Sequence, residues 1–269
     1  VANECPYCGS NQVMEVSDVD TMAPGGVVPF KIDKMTAGNK FKAWIKGKLF
    51  CPREAKESAK PENFTGIYLP YWTFDADTHS QYKGEYGYEK KRKKGDQVET
   101  YYEWHYGSGE LDKFIDDELV SACGNNHDKN ILDQIAPFKT EDNVSYKPEY
   151  IAGFAAERYS LGLKDAWALA KETIKSKLRG IAEDKLRSEH NADTTRNVTL
   201  DTSFSNIKYK YLLLPVWISS FTYKGKIYQF MVNGQSGKVG GKSPVSPWRV
   251  LVAILIVLLI IAFIMWTSS

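Results

Sequence analysis

Tyr68-Leu69-Pro70-Tyr71-Trp72 and, far downstream, Leu213-Leu214-Pro215-Val216-Trp217 carry the same Leu-Pro-x-Trp phrase. Each is followed by Tyr-Lys-Gly, at Tyr82-Lys83-Gly84 and Tyr223-Lys224-Gly225. A third phrase recurs upstream of both, Val28-Pro29-Phe30-Lys31 against Ala136-Pro137-Phe138-Lys139. Three landmarks in one order imply a duplicated unit, 27–125 and 135–240.

Between the landmarks the apolar spacing is helical. Thr36 can cap a helix whose Phe41, Trp44, Ile45 and Leu49 share one face. Trp167, Ala170, Ile174, Leu178 and Ile181 keep the same spacing over a longer run in the second copy. After each Leu-Pro-x-Trp the pattern turns to strand, at 81–88 and 98–106 and again at 219–223 and 226–232. A proline within a leading strand assigns it to an edge or a strand start. Asn233-Gly234 between apolar segments predicts a tight hairpin turn, and Gly234-x-x-Gly237 without a following helix gives no anion cradle. The expected class is α+β, a duplicated strand-helix-strand-hairpin unit with antiparallel sheets. Aromatic richness, with 16 Tyr, 12 Phe and 7 Trp, agrees with sheet.

Beyond a 241–249 linker, residues 250–266 read VLVAILIVLLIIAFIMW, with no charge, proline or glycine. Seventeen such residues suit a membrane-spanning helix, whose backbone bonds itself in hydrocarbon. Trp248 and Trp266 bracket it as interfacial aromatics, and Arg249 stands at its entrance. Lys238, Lys242 and Arg249 precede it and uncharged Thr267, Ser268 and Ser269 follow. By the positive-inside tendency the expected topology is single-pass in the cell membrane, with the soluble part in the cytoplasm. No signal peptide is read at the N terminus, which opens on Val1 as a fragment would.

A formal charge of +2 from 35 basic and 33 acidic residues excludes a global field that would drive the molecule onto nucleic acid. Any charged partner is therefore met locally. The sharpest local feature is Lys90-Lys91-Arg92-Lys93-Lys94, which falls at a hairpin tip. It reads as a solvated loop, as a patch for acidic lipid or an acidic protein partner, or as a nucleic-acid contact.

Cys5-Pro6-Tyr7-Cys8-Gly9 is a zinc knuckle in form, the 1–20 segment supplying two thiolates of a four-ligand site. The second pair of such a site lies some 15–20 residues away, which leaves the zinc site of this segment incomplete. Cys51 and Cys123 are candidate substitutes, although a lone cysteine usually packs as a small hydrophobe. Asp75, Asp77 and His79 alternate, so a regular strand would place them on one face, near Glu103 and His105 of a neighbour. A polar cluster for a hydrolase is one reading and an exposed sheet face the other. His127 reads as loop and His190 as a helix end. No serine elbow, His-Glu-x-x-His or Walker loop occurs, so no catalytic residue is assigned.

The knuckle at Cys5 and Cys8 is followed by Val28-Pro29-Phe30-Lys31-Ile32. After it come Leu69-Pro70-Tyr71-Trp72-Thr73-Phe74-Asp75-Ala76-Asp77 and Val232-Asn233-Gly234-Gln235-Ser236-Gly237-Lys238. In this order the motifs resemble a bacterial family of TFIIB-type zinc ribbon-containing membrane proteins, sometimes labelled PriA-like helicases. The resemblance covers the chain from Asn3 onward and implies an N-terminal zinc ribbon, Cys5 and Cys8 matching its second knuckle. The absence of an ATP-binding motif leaves a helicase activity without support. The function expected is a non-enzymatic, membrane-tethered zinc-ribbon adaptor facing the cytoplasm, with the lipid bilayer and a protein as partners. A nucleic-acid-binding protein and a hydrolase are the alternatives.

Overall fold

The computed structural model describes residues 22–57, 64–94, 97–123 and 127–267. Cys5 and Cys8, and with them the expected zinc ribbon, lie outside these residues. The described elements run β1 (Gly26–Val27), α1 (Lys34–Lys46), α2 (Arg53–Glu57), β2 (Thr65–Lys94), β3 (Gln97–Ser121), α3 (Lys129–Ile135), β4 (Val144–Ser145), β5 (Ala155–Ala156), α4 (Leu163–Glu189), β6 (Thr194–Tyr223), β7 (Lys226–Asn233), β8 (Val239–Gly241) and α5 (Pro247–Thr267). The class is α+β, and the elements form two compact units from interleaved segments. One comprises the described residues of Val1–Pro70, Cys123–Tyr159 and Leu212–Ser269, the other Tyr71–Ala122 and Ser160–Tyr211. The sequence halves 27–125 and 135–240 thus each contribute to both units.

In the first unit β1 runs parallel to β6 at Leu212 and Leu213, and β5 runs parallel to β2 at Ile67 and Tyr68. The residue after each short strand donates to the same place, Val28 N to Leu213 O at 2.9 Å and Glu157 N to Tyr68 O at 3.0 Å. Each acceptor stands two residues before a Leu-Pro-x-Trp proline. Past the prolines the partners change, β3 pairing with β2 from Tyr71 and β7 with β6 from Val216. Pro70 and Pro215 therefore lie inside long strands, neither at an edge nor at a start. On the side where one partner ends and the next begins, a missing N–H breaks no ladder bond. The tryptophans behave alike as well, Trp217 Nε1 donating to Ile32 O at 3.0 Å and Trp72 Nε1 to Leu161 O at 2.9 Å. Two residues beyond each acceptor a helix begins, α1 after its cap Asp33 and α4 after its cap Gly162. Ala136-Pro137-Phe138-Lys139 holds no such position; it follows α3.

The first unit's core is aromatic. Ala37, Phe41 and Ile45 of α1 pack on Trp217, Phe221 and Phe230. Phe41 and Phe230 stack with ring centres 3.6 Å apart and planes 11° from parallel. The cap of α1 is Asp33, whose Oδ1 accepts from Thr36 N at 2.7 Å, so Thr36 is the capped residue and not the cap. Leu49, expected on the buried face, lies past the helix end and is 79% exposed. The Thr36 amide holds the Asp33 carboxyl below its ordinary value of 3.8. A lowered acid stabilises above that value, and the contribution is lost as pH falls through the folded-state value. Asp33→Ala is expected to lower the thermal midpoint by a few degrees at neutral pH. The two midpoints should converge in strongly acid solution; a gap independent of pH would show that the cap is not the cause.

In the second unit β2 and β3 pair antiparallel from Tyr71↔Ser121 to Lys94↔Gln97, with a bulge between Phe74 and Ala76. The contacts of β2 with β6 run in opposite order along the two strands, Ser80 with Thr202 and Glu85 with Arg196, so this pairing is antiparallel too. Along α4 the buried row is Ala166, Ala170, Ile174, Leu178, Ala182 and Leu186, each side chain four residues from the last. Ile181, expected in that row, is 37% exposed. Alanines fill the seam instead, where a larger side chain would hold the helix off its neighbours.

The expected hairpin at Asn233-Gly234 is present between β7 and β8 as a four-residue loop. Gly237 N donates to Asn233 O and Asn233 N to Lys238 O, both at 2.9 Å. The left-handed residue is Gly237, with φ +75°, not Gly234. Gly234 serves close approach, since a Cβ there would stand 2.6 Å from the Phe30 ring. Asn233 is fully buried; its Nδ2 donates to Ile135 O and Pro137 O, and its Oδ1 accepts from Gln235 N and Ser236 N. Lys31 N and Ile32 N donate to Gly234 O, and Lys139 N to Gln235 Oε1. Both Pro-Phe-Lys phrases are thus held by one loop.

Candidate functional site

Pro247–Thr267 is a 21-residue helix with no buried residue, its most apolar 18-residue stretch has a mean hydropathy of 3.2, and among the described residues it alone is long and apolar enough to cross a membrane. Trp248 and Trp266 at its two ends are 69% and 77% exposed. Its first turn is fastened to the first unit. Arg249 Nη1 donates to Leu49 O at 3.1 Å and Cys51 O at 2.9 Å, and Ser246 N donates to Phe50 O at 2.8 Å. These bonds give the loop after α1 a reason for its shape.

The basic run splits in two. Strand alternation turns Lys90 and Arg92 to one face, opposite Tyr101 and Glu99, and Lys91 and Lys93 to the other, opposite Thr100 and Val98. On the first face Arg92 pairs with Glu99 at 2.9 Å and Lys90 approaches Glu103 at 3.9 Å, so acid across the ladder offsets base. On the second, Lys91 and Lys93 are exposed and have no ion pair among the described residues, and Val98 beside them is 61% exposed. On the first face Arg92 also lies over the half-exposed Tyr101 ring, 5.4 Å from its centre, so unpaired cations, rather than apolar surface, distinguish the second face.

Asp75, Asp77 and His79 do not converge. Asp75 sits at the bulge and accepts from Asp117 N at 3.0 Å, near the Asp116 and Asp117 carboxylates. Asp77 accepts from Asn206 at 2.8 Å. His79 Nδ1 lies 2.7 Å from Asp112, and that hydrogen bond holds the imidazole above its ordinary value. Burial along β2 alternates through the bulge, so the three do lie on one, less buried face, but each is engaged by a different partner. Glu103 and His105 lie 3.7 Å apart on β3, both half-exposed.

The structure brings together a trio that sequence reading left dispersed. Cys123, His127 and Glu157 place a thiol, an imidazole nitrogen and a carboxylate oxygen within 4.8 Å of one another. His127 Nε2 lies 3.0 Å from both carboxylate oxygens of Glu157, with the His127 side chain 1% exposed. Burial pushes the Glu157 carboxyl up to about 7 and the His127 imidazole down, each shifted toward its neutral form by loss of water around the charge. The Cys123 thiol points to Pro70 O at 3.9 Å. Such a set can share a proton across the imidazole–carboxylate bond or hold a divalent ion. Cys123 and His127, four residues apart, were the available signal; Glu157 carried none, being fixed only by the pairing of β5 with β2.

No family model matches this chain, and no solved structure matches it. It is similar to a protein of Bacillus subtilis (strain 168) described as "Uncharacterized protein YdjG", at 29% identity over 229 residues. The match takes in 85% of this chain and 66% of the relative, just under two thirds of the relative's length.

Proposed function

We propose that the chain is a membrane-tethered, non-enzymatic adaptor: a zinc ribbon at the N terminus, a duplicated α+β body, and a single-pass anchor that leaves the body in the cytoplasm. The observation that carries this is α5, uncharged from Val250 onward and without a buried residue, yet locked at its first turn through Arg249 to the loop after α1. An exposed apolar surface of that size is unfavourable in water and favourable in hydrocarbon. Lys238 and Lys242 before α5 and Arg249 in its first turn are in keeping with a cytoplasmic body.

Duplication is supported by the reciprocal bonding around the two Leu-Pro-x-Trp phrases, with Val28, Ile32 and Trp217 answering Glu157, Leu161 and Trp72. The leading phrase of the second copy then falls at Ala155-Ala156-Glu157, later than the 135 boundary read from Pro-Phe-Lys. A binding role in place of catalysis is supported by the separate engagement of Asp75, Asp77 and His79. The Lys91 and Lys93 face suits an acidic partner. The ribbon rests on the Cys5 and Cys8 spacing and on the family resemblance, zinc being the ion that such thiolates take.

Alkaline carbonate washing of membranes from expressing cells tests the anchor. The intact chain is expected to stay in the pellet and a chain lacking residues 247–269 to be soluble. Protease added outside intact spheroplasts should leave the body uncut. Release of the intact chain by carbonate, or its digestion from outside, would overturn the proposal.

A further inference from the structure

Resting on the reading of α5 as a membrane span, we propose that the cleft at its base binds the phosphate-bearing headgroup of an anionic phospholipid. The cleft encloses about 520 Å³, and its walls come from three parts of the first unit: the start of α2, the β6–β7 hairpin around its turn, and residues 244–247 with Arg249 where the chain enters α5. Four cations line it, Arg53, Lys224, Lys226 and Arg249, against one acid, Glu54.

The cations are available. Lys224 and Lys226 are exposed and have no ion pair among the described residues. Arg53 pairs with Glu57 at 2.9 Å, but their side chains are 84% and 63% exposed, and a pair so open in water is weak. Arg249 commits Nη1 to the carbonyls of Leu49 and Cys51, one nitrogen of a planar five-donor fork. Those bonds fix the guanidinium at the cleft wall, so little freedom remains to be lost when an anion arrives. Tyr228 supplies an amphipathic wall of the kind favoured at membrane interfaces.

Position selects the ligand. Twenty-one helical residues rise about 31 Å, the thickness of the hydrocarbon core. With α5 across the membrane, Pro247 and Trp248 stand at the hydrocarbon boundary and the cleft opens into the headgroup layer. Phosphate esters are densest there, and juxtamembrane cations gain most from anionic lipid. Free phosphate shares the chemistry but not the concentration.

The intact chain is reconstituted in phosphatidylcholine vesicles containing spin-labelled phosphatidylglycerol or spin-labelled phosphatidylcholine, and the motionally restricted lipid is measured. A preference of about tenfold for the anionic label is expected at low salt. Arg53→Gln, Lys224→Gln and Lys226→Gln together should abolish it, while Lys91→Gln with Lys93→Gln should retain it. All these side chains are exposed, and an unchanged thermal transition verifies folding. An excess of inorganic phosphate at constant ionic strength should leave the preference intact; displacement by phosphate would overturn the lipid assignment in favour of a free anion. Embedded chain without a preference, or a triple variant that keeps it, overturns the headgroup site alone. Chain that carbonate extracts from the vesicles overturns the anchor reading instead.

Discussion

Asn233→Ala is expected to destabilise the first unit by about 3 kcal/mol or more, measured as the urea midpoint of tryptophan fluorescence for the intact chain in detergent. The side chain is fully buried and serves four backbone groups: it donates to Ile135 O and Pro137 O, and accepts from Gln235 N and Ser236 N at 2.8 and 3.0 Å. Alanine leaves all four without that partner, and a buried polar group stripped of its bond costs about 1–3 kcal/mol. The losses do not add fully, because the loop can move toward water. Asn233→Asp separates the two halves of the effect. The carboxylate keeps both amide donors but faces two carbonyl oxygens, so aspartate should rescue little. If aspartate were as stable as the parent, the bonds to Ile135 and Pro137 would carry no weight.

That asparagine also explains what sequence could and could not disclose. Asn-Gly between apolar runs correctly announced a hairpin, because turn chemistry is local. The use of the Asn233 side chain to hold residues 135–137 depends on a partner almost a hundred residues away, and no local pattern reports it. Similarly, Val28-Pro29-Phe30-Lys31 and Ala136-Pro137-Phe138-Lys139 dock against a common loop, where Gly234 O takes Lys31 N and the Gln235 side chain takes Lys139 N. The two phrases stand at positions that are not equivalent, the second following α3. The Leu-Pro-x-Trp phrases were legible because both the proline and the tryptophan have fixed tasks there. The apolar run at 250–266 was legible because its composition alone gives the helix. The basic run could not be apportioned between two faces before the β2–β3 register was known, and Glu157 could not be joined to His127 before β5 was placed beside β2.

Phe41→Ala is expected to cost the first unit about 3–5 kcal/mol, against a change within about 0.5 kcal/mol for Leu49→Ala, by the same urea measurement. Both residues belong to the apolar spacing that predicted α1, and sequence alone ranks them together. Phe41 is fully buried, stacked on Phe230 at 3.6 Å and edge-on to Phe64 at 6.0 Å. Alanine there removes a ring from the middle of an aromatic cluster that cannot collapse around the space, because Phe230 is held in β7 and Trp217 is tied through its Nε1 to Ile32 O. Leu49 lies beyond the last turn of α1, is 79% exposed and has little to lose. Its backbone carbonyl, not its side chain, is what the protein uses, as an acceptor for Arg249 at the foot of α5. A large loss at Leu49 would place that side chain in contact with lipid or a partner, whereas a small loss at Phe41 would mean that the aromatic cluster does not hold α1 to the sheet.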